Sequence, residues 1–166
     1  VVINEIFYNA PEDLEDLQWI EFYNDADAPV DLSGWKLDEG SILEFPPATK
    51  VGAHEYLVAA LDPARFTESY GGQAIGPLKR PLKRGGERIE LADAAGRRID
   101  VARYKDADPW PVSADGHTAS LERICPSAPG DVPENWAASP LSGADTKPSG
   151  TPGKQNADRA DERARQ

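Results

Sequence analysis

Val30-Asp31-Leu32-Ser33-Gly34-Trp35-Lys36-Leu37 carries a Ser-Gly turn that leads into a short strand-forming run, Trp35 to Leu37. Trp35 follows that turn within an apolar strand, where a sandwich core tryptophan would sit. The same grammar recurs on both sides. Runs rich in Val, Ile, Tyr, Phe and Trp predict strands near Val1 to Tyr8, Gln18 to Tyr23, Trp35 to Leu37, Ile42 to Phe45, Tyr56 to Ala60, Arg88 to Ala92, Arg98 to Tyr104 and Ala119 to Ile124. Between them, Asp38-Glu39-Gly40, Gly71-Gly72, Gly85-Gly86 and Ala95-Gly96 supply residues that tolerate positive φ. Gly85-Gly86 leads into a strand and reads as a hairpin. About eight strands without long helical periodicity predict an all-β, two-sheet antiparallel sandwich.

The one helical signal is Asp62-Pro63-Ala64-Arg65-Phe66, where Asp can cap and Pro fits the first position, which predicts a turn or two. No repeat suggests a solenoid. From about Ser139 the sequence turns to Ser, Gly, Pro and Lys and reads as an extended closing segment. The expected organisation is one domain over residues 1–156 and a flexible tail or linker over 157–166.

The chain has 166 residues, 39% of them hydrophobic, enough for one core. No apolar run reaches the length of a membrane span, and the first residues lack the charged start and cleavage site of a signal peptide. There is no methionine, even at position 1, which points to a piece of a longer polypeptide or one that has lost its leader. The single cysteine, Cys125, has no internal disulfide partner and reads as a small packed residue.

A net charge of −11 opposes attraction of the whole molecule to nucleic acid or anionic membrane. The charge is unevenly placed. Residues 1–39 hold eleven acids against Lys36 alone, whereas residues 79–105 hold nine bases against four acids.

The ordered motifs are Asn4-Glu5-Ile6 with Tyr8-Asn9, Trp19-Ile20-Glu21-Phe22-Tyr23-Asn24, residues 30–37, Tyr56-Leu57-Val58-Ala59-Ala60 and Gly85-Gly86-Glu87-Arg88-Ile89-Glu90-Leu91. Trp110-Pro111, Ala114-Asp115-Gly116, Ser120-Leu121-Glu122-Arg123, Asn135-Trp136 and Gly150-Thr151-Pro152-Gly153 with Asn156 follow. Together they resemble the lamin tail domain family, in its bacterial form more than in the lamins. The resemblance implies an immunoglobulin-like sandwich, an extracellular or cell-surface location, and neighbouring domains in a larger protein, often hydrolases. It brings no established catalytic residue. The loop Leu82-Lys83-Arg84-Gly85-Gly86-Glu87 departs from the family in being basic.

Chemical signals are sparse. His54 and His117 sit in apparent turns outside any metal-ligand spacing. Neither a nucleophile elbow nor a phosphate-binding glycine loop occurs, so no catalytic residue is assigned. Asp25/Asp27 and Asp106/Asp108 could offer oxygen ligands for weakly bound calcium, but an EF-hand counted from Asp25 puts Val30 at the glycine position and Lys36 at the bidentate glutamate position. No metal or cofactor is therefore expected. Glu5 and Glu21, flanked by apolar residues within strands, should find a hydrogen bond or ion pair or else face water. Among the tryptophans Trp19, Trp35, Trp110 and Trp136, core is the default, and Trp110 between two prolines is the one expected at the surface.

The best contact candidates are Lys79, Arg80, Lys83, Arg84 and Arg88, with Trp110 for a carbohydrate or peptide. The basic residues could equally pair with the chain's own acidic first third. The expected function is a non-catalytic binding, adhesion or targeting module that holds a protein, a cell-surface polymer or a neighbouring domain. Two alternatives stand beside it: an accessory part of a fused nuclease or phosphoesterase, and a nucleic-acid-binding module using the basic loop.

Overall fold

A computed structural model describes residues 1–111, 118–141 and 148–159. Among these, the first large sheet runs β11-β10-β1-β2-β7, from β1 (Val2–Phe7), β2 (Trp19–Tyr23), β7 (Tyr56–Ala60), β10 (Leu121–Arg123) and β11 (Trp136–Ala138). The second runs β5-β4-β8-β9, from β4 (Lys36–Leu37), β5 (Leu43–Glu44), β8 (Gly86–Ala92) and β9 (Arg98–Lys105). The short ribbon of β3 (Val30–Asp31) and β6 (Lys50–Val51) stands apart, and every strand pairing is antiparallel. The two sheets enclose a core that includes Ile3, Ile20, Phe22, Leu37, Ile89, Leu91, Ala102 and Leu121. This is the expected all-β immunoglobulin-like sandwich.

The differences are in the short elements. The two-residue strands β3 and β6 and the three-residue β11 carry too few side chains to show an alternation. Gly85-Gly86 is not a hairpin: it is a corner, after which β8 pairs with β4 and β9, and the β8–β9 hairpin turns instead at Asp93–Gly96. Gly86 has a φ of 105°, and a Cβ there would lie 2.4 Å from the Tyr104 carbonyl oxygen. That close approach requires glycine.

The five-stranded sheet is covered on both faces. Its outer face carries a second core in which Trp19, Phe7, Val58 and Ala60 meet Leu14 and Leu17 from a 3-10 segment (Glu12–Leu17) and Phe66 from α1 (Pro63–Tyr70). The α1 helix begins as expected, with Asp62 accepting from the Ala64 and Arg65 amides, and it ends at Gly71 with a φ of 77°. Phe66 and Tyr70 present their ring edges to Trp19, at 5.9 and 5.7 Å between centroids. The rest of that outer face lies under residues 148–157.

Asp100 and Arg123 tie the two sheets together. Arg123 of β10, fully buried, donates to both carboxylate oxygens of Asp100 on β9, at 2.7 and 3.3 Å. Asp100 also accepts the Ile3 amide of β1, and Arg123 reaches the Ile3 and Ala128 carbonyls.

Candidate functional site

The basic loop is less available than its sequence suggests. Arg80 donates to Glu87 at 2.7 Å and is 3.4 Å from Asp38. Burial alone would raise the Glu87 carboxyl, but bonds from Arg80, the Lys83 amide and the Tyr104 hydroxyl together hold it below its ordinary value. Arg84 pairs with Glu15 of the acidic first third at 2.8 Å, so part of the charge opposition along the chain is spent internally. Arg88 meets Glu90 at 3.2 Å. Lys79 and Lys83 are exposed and make no ion pair among the described residues. Trp110 does not belong to this surface: it is 5% exposed and packs in the main core. Its flanking prolines shape the chain but leave the indole pointing inward.

Strand register assembles a different basic surface. Arg88 of β8 lies directly opposite Arg103 of β9, and Gly86 opposite Lys105. Arg88, Arg103 and Lys105 all project from the outer face of the four-stranded sheet and border a shallow depression of about 130 Å³ at Gly85-Gly86. Like charges placed opposite across antiparallel strands repel. Among the described residues, the carboxylate that pairs with this strip is Glu90, whose Oε2 is shared between Arg88 and Arg98, at 3.2 and 2.9 Å, and Asp106 borders the corner at Gly85. Arg103 and Lys105 have no ion-pair partner among the described residues. Neither was singled out from sequence as a contact residue, because β8–β9 register is needed to set them beside Arg88.

A second constellation lies on the outer face of the five-stranded sheet. Glu5 of β1 stands opposite both Glu21 of β2 and Glu122 of β10, giving a row of three carboxyls, all buried. A register shift between Ile3 and Glu5 turns Asn4 toward the same face, where its amide donates to Glu21 and Asn156. The closing segment supplies one backbone amide to each carboxyl. Thr151 donates to Glu5 at 2.9 Å, Gly153 to Glu21 at 2.6 Å and Ala157 to Glu122 at 2.8 Å. Burial pushes the Glu5 carboxyl up to about 8, outweighing its bonds from Ser120 and Thr151. Burial, then the neighbouring Glu5, lifts Glu21 well above the carboxylate range, and burial raises Glu122. Hydrogen bonding is thus the role of Glu5 and Glu21, with Glu122 and a segment about 150 residues away completing the site.

The remaining candidates do not converge. His54, at a φ of 56°, contacts Asp27 at 2.8 Å and the Tyr23 hydroxyl at 3.3 Å. Asp25 meets Arg159, which also stacks on the Tyr23 ring at 4.1 Å. His117 and Ala114-Asp115-Gly116 lie outside the described residues. Among the described residues, no group of three His, Cys, Asp or Glu side chains is arranged to hold a metal ion, and no helix is long and apolar enough to cross a membrane. Trp19 and Trp136 are buried and Trp35 partly so, which leaves no pair of tryptophans on one exposed face.

Searches of curated proteins and of solved structures found no match. The family model described as Lamin Tail Domain matches residues 1–106, from β1 through β9. With that match spanning most of the chain and both sheets of the sandwich, the chain belongs to the lamin tail domain family.

Proposed function

We propose that this domain is a non-catalytic binding module of a larger secreted or surface bacterial protein, and that it grips an anionic cell-surface polymer through the outer face of its four-stranded sheet. The observation that carries this reading is the Arg88–Arg103 pair: two guanidinium groups set opposite one another, beside Lys105, of which only Arg88 has an ion-pair partner, Glu90, among the described residues. Such an arrangement is unfavourable in the isolated domain and becomes favourable when an oxyanion sits between the two forks. Lys83, at the entry to the same corner, extends the strip. The carboxyls that could have served acid–base chemistry are instead enclosed and bonded to the closing segment.

Titration against soluble polyphosphate and polyglutamate at low and at physiological salt tests the reading. Binding should weaken with salt, and Arg88→Gln and Arg103→Gln should each reduce the slope of log affinity against log salt by roughly one. Duplex DNA serves as the contrasting probe. Retention of DNA without either simple polymer would favour the nucleic-acid reading instead.

A further inference from the structure

The three buried carboxyls and the segment above them form a unit whose hydrogen bonds do not balance if all three are ionised. The Thr151 hydroxyl has one proton to give, yet it faces Glu122 Oε1 at 2.8 Å and Glu5 Oε2 at 3.2 Å. Ser120 and the Thr151 amide both donate to the other Glu5 oxygen, Oε1. A proton on Glu5 Oε2 completes the chain: Glu5 donates to the Thr151 hydroxyl, and that hydroxyl donates to Glu122. Without the proton, one enclosed carboxylate oxygen loses its donor.

Among the described residues, no cation pairs with the row from the elements packed around it. From the closing segment come Thr151, Gly153 and Asn156, with Asp158 adding a further negative charge near Glu122. Arg159 lies at the far end, on Tyr23 and close to Asp25. Ser120 reaches the row from beside β10, and Asn4 from β1. From α1 comes Tyr70, whose hydroxyl donates to the Ser149 carbonyl. Arg123 is engaged with Asp100, across the inter-sheet core. Residues 148–159 contribute no side chain to either hydrophobic cluster; polar contacts hold the segment, and the Gly150 backbone lies against the Trp19 ring.

We propose that residues 149–157 are a proton-held latch: the proton shared by Glu5, Thr151 and Glu122 keeps the segment closed over the five-stranded sheet, and its loss releases the segment while the sandwich stays folded. The latch is closed in acidic and neutral solution and open in alkaline solution. Opening uncovers the Glu5–Glu21–Glu122 row.

Hydrogen–deuterium exchange of the whole chain across a pH series, corrected for the intrinsic pH dependence of exchange, reads this directly. Protection of the 149–157 peptide should fall at least tenfold between neutral and alkaline pH, while peptides containing Ile20 and Leu91 keep theirs. Glu5→Gln carries a permanent donor at the same place and should abolish the fall. Thr151→Val removes the hydroxyl and should leave the segment unprotected already at neutral pH. If 149–157 keeps its protection throughout, or loses it only together with the core, the latch does not exist. The wild-type series decides this even if a variant fails to fold.

Discussion

Glu5 and Glu21 face one another across β1 and β2 with both carboxyls buried and no cation between them. Glu5 therefore binds its proton more tightly in the folded chain than in the unfolded one. The stabilisation from that proton is fully present below the ordinary glutamate value and is lost as pH rises toward about 8. Glu87, Glu90 and Asp93 are shifted the other way, so their contributions are lost only in acid, below that window. Thermal or denaturant unfolding should show stability declining from mildly acidic to mildly alkaline pH by about 1.4 kcal/mol per pH unit for each proton retained. Glu5→Gln should lessen the decline, leaving the part that Glu21 and Glu122 contribute. A wild-type profile that is level or rises over this range contradicts the assignment.

Asp100→Ala should be among the most damaging single changes. It strips the carboxylate from a guanidinium that is 2% exposed and leaves the Ile3 amide unanswered. The expected loss is about 3 to 5 kcal/mol, measured by urea unfolding. Asp100→Asn, which keeps an acceptor for Arg123, should cost less.

Gly86→Ala and Gly71→Ala separate steric crowding from backbone strain. Both positions have positive φ, but an added Cβ meets nothing within 4 Å at Gly71 and lies 2.4 Å from a carbonyl oxygen at Gly86. Gly71→Ala should cost about 1 kcal/mol through αL strain alone, and Gly86→Ala clearly more because β8 must shift against β9.

Phe66→Ala should open the second core beneath α1, since that ring packs against Trp19 and Tyr70 and is 2% exposed. A loss of about 3 to 5 kcal/mol is expected, with quenched or shifted Trp19 fluorescence as a local readout.

The sequence showed the sandwich through segments such as Trp19–Tyr23 and Arg98–Tyr104, where β-branched and aromatic residues are dense enough to mark a strand. It did not show β3, β6 and β11, whose two or three residues hold no period. Glu5 and Glu21 read correctly as carboxyls in need of partners, but those partners are backbone amides of Thr151 and Gly153, groups without any sequence signature. Trp110 misled because a proline-flanked indole in a loop can still turn into the core. The basic run from Lys79 to Arg88 was visible, whereas the neutralisation of Arg80 and Arg84 and the arrival of Arg103 and Lys105 depend on tertiary contacts and strand register.

Arg103→Glu distinguishes a binding surface from a merely charged one. The new carboxylate would face Arg88 across the ladder and replace repulsion by attraction, so the variant should be more stable than the wild type by about 0.2 to 1 kcal/mol. The same change should abolish polymer binding. A residue that improves stability when replaced but removes binding is maintained for the contact it makes.

The most direct test is chemical-shift mapping of the isotopically labelled chain with soluble polyphosphate. The expected perturbations cluster on the amides of Gly86, Arg88, Arg103 and Lys105, at the outer face of β8 and β9, and disappear in the Arg88→Gln, Arg103→Gln double variant. Perturbations centred elsewhere, or none at low salt, would contradict the assignment of this face as the binding surface.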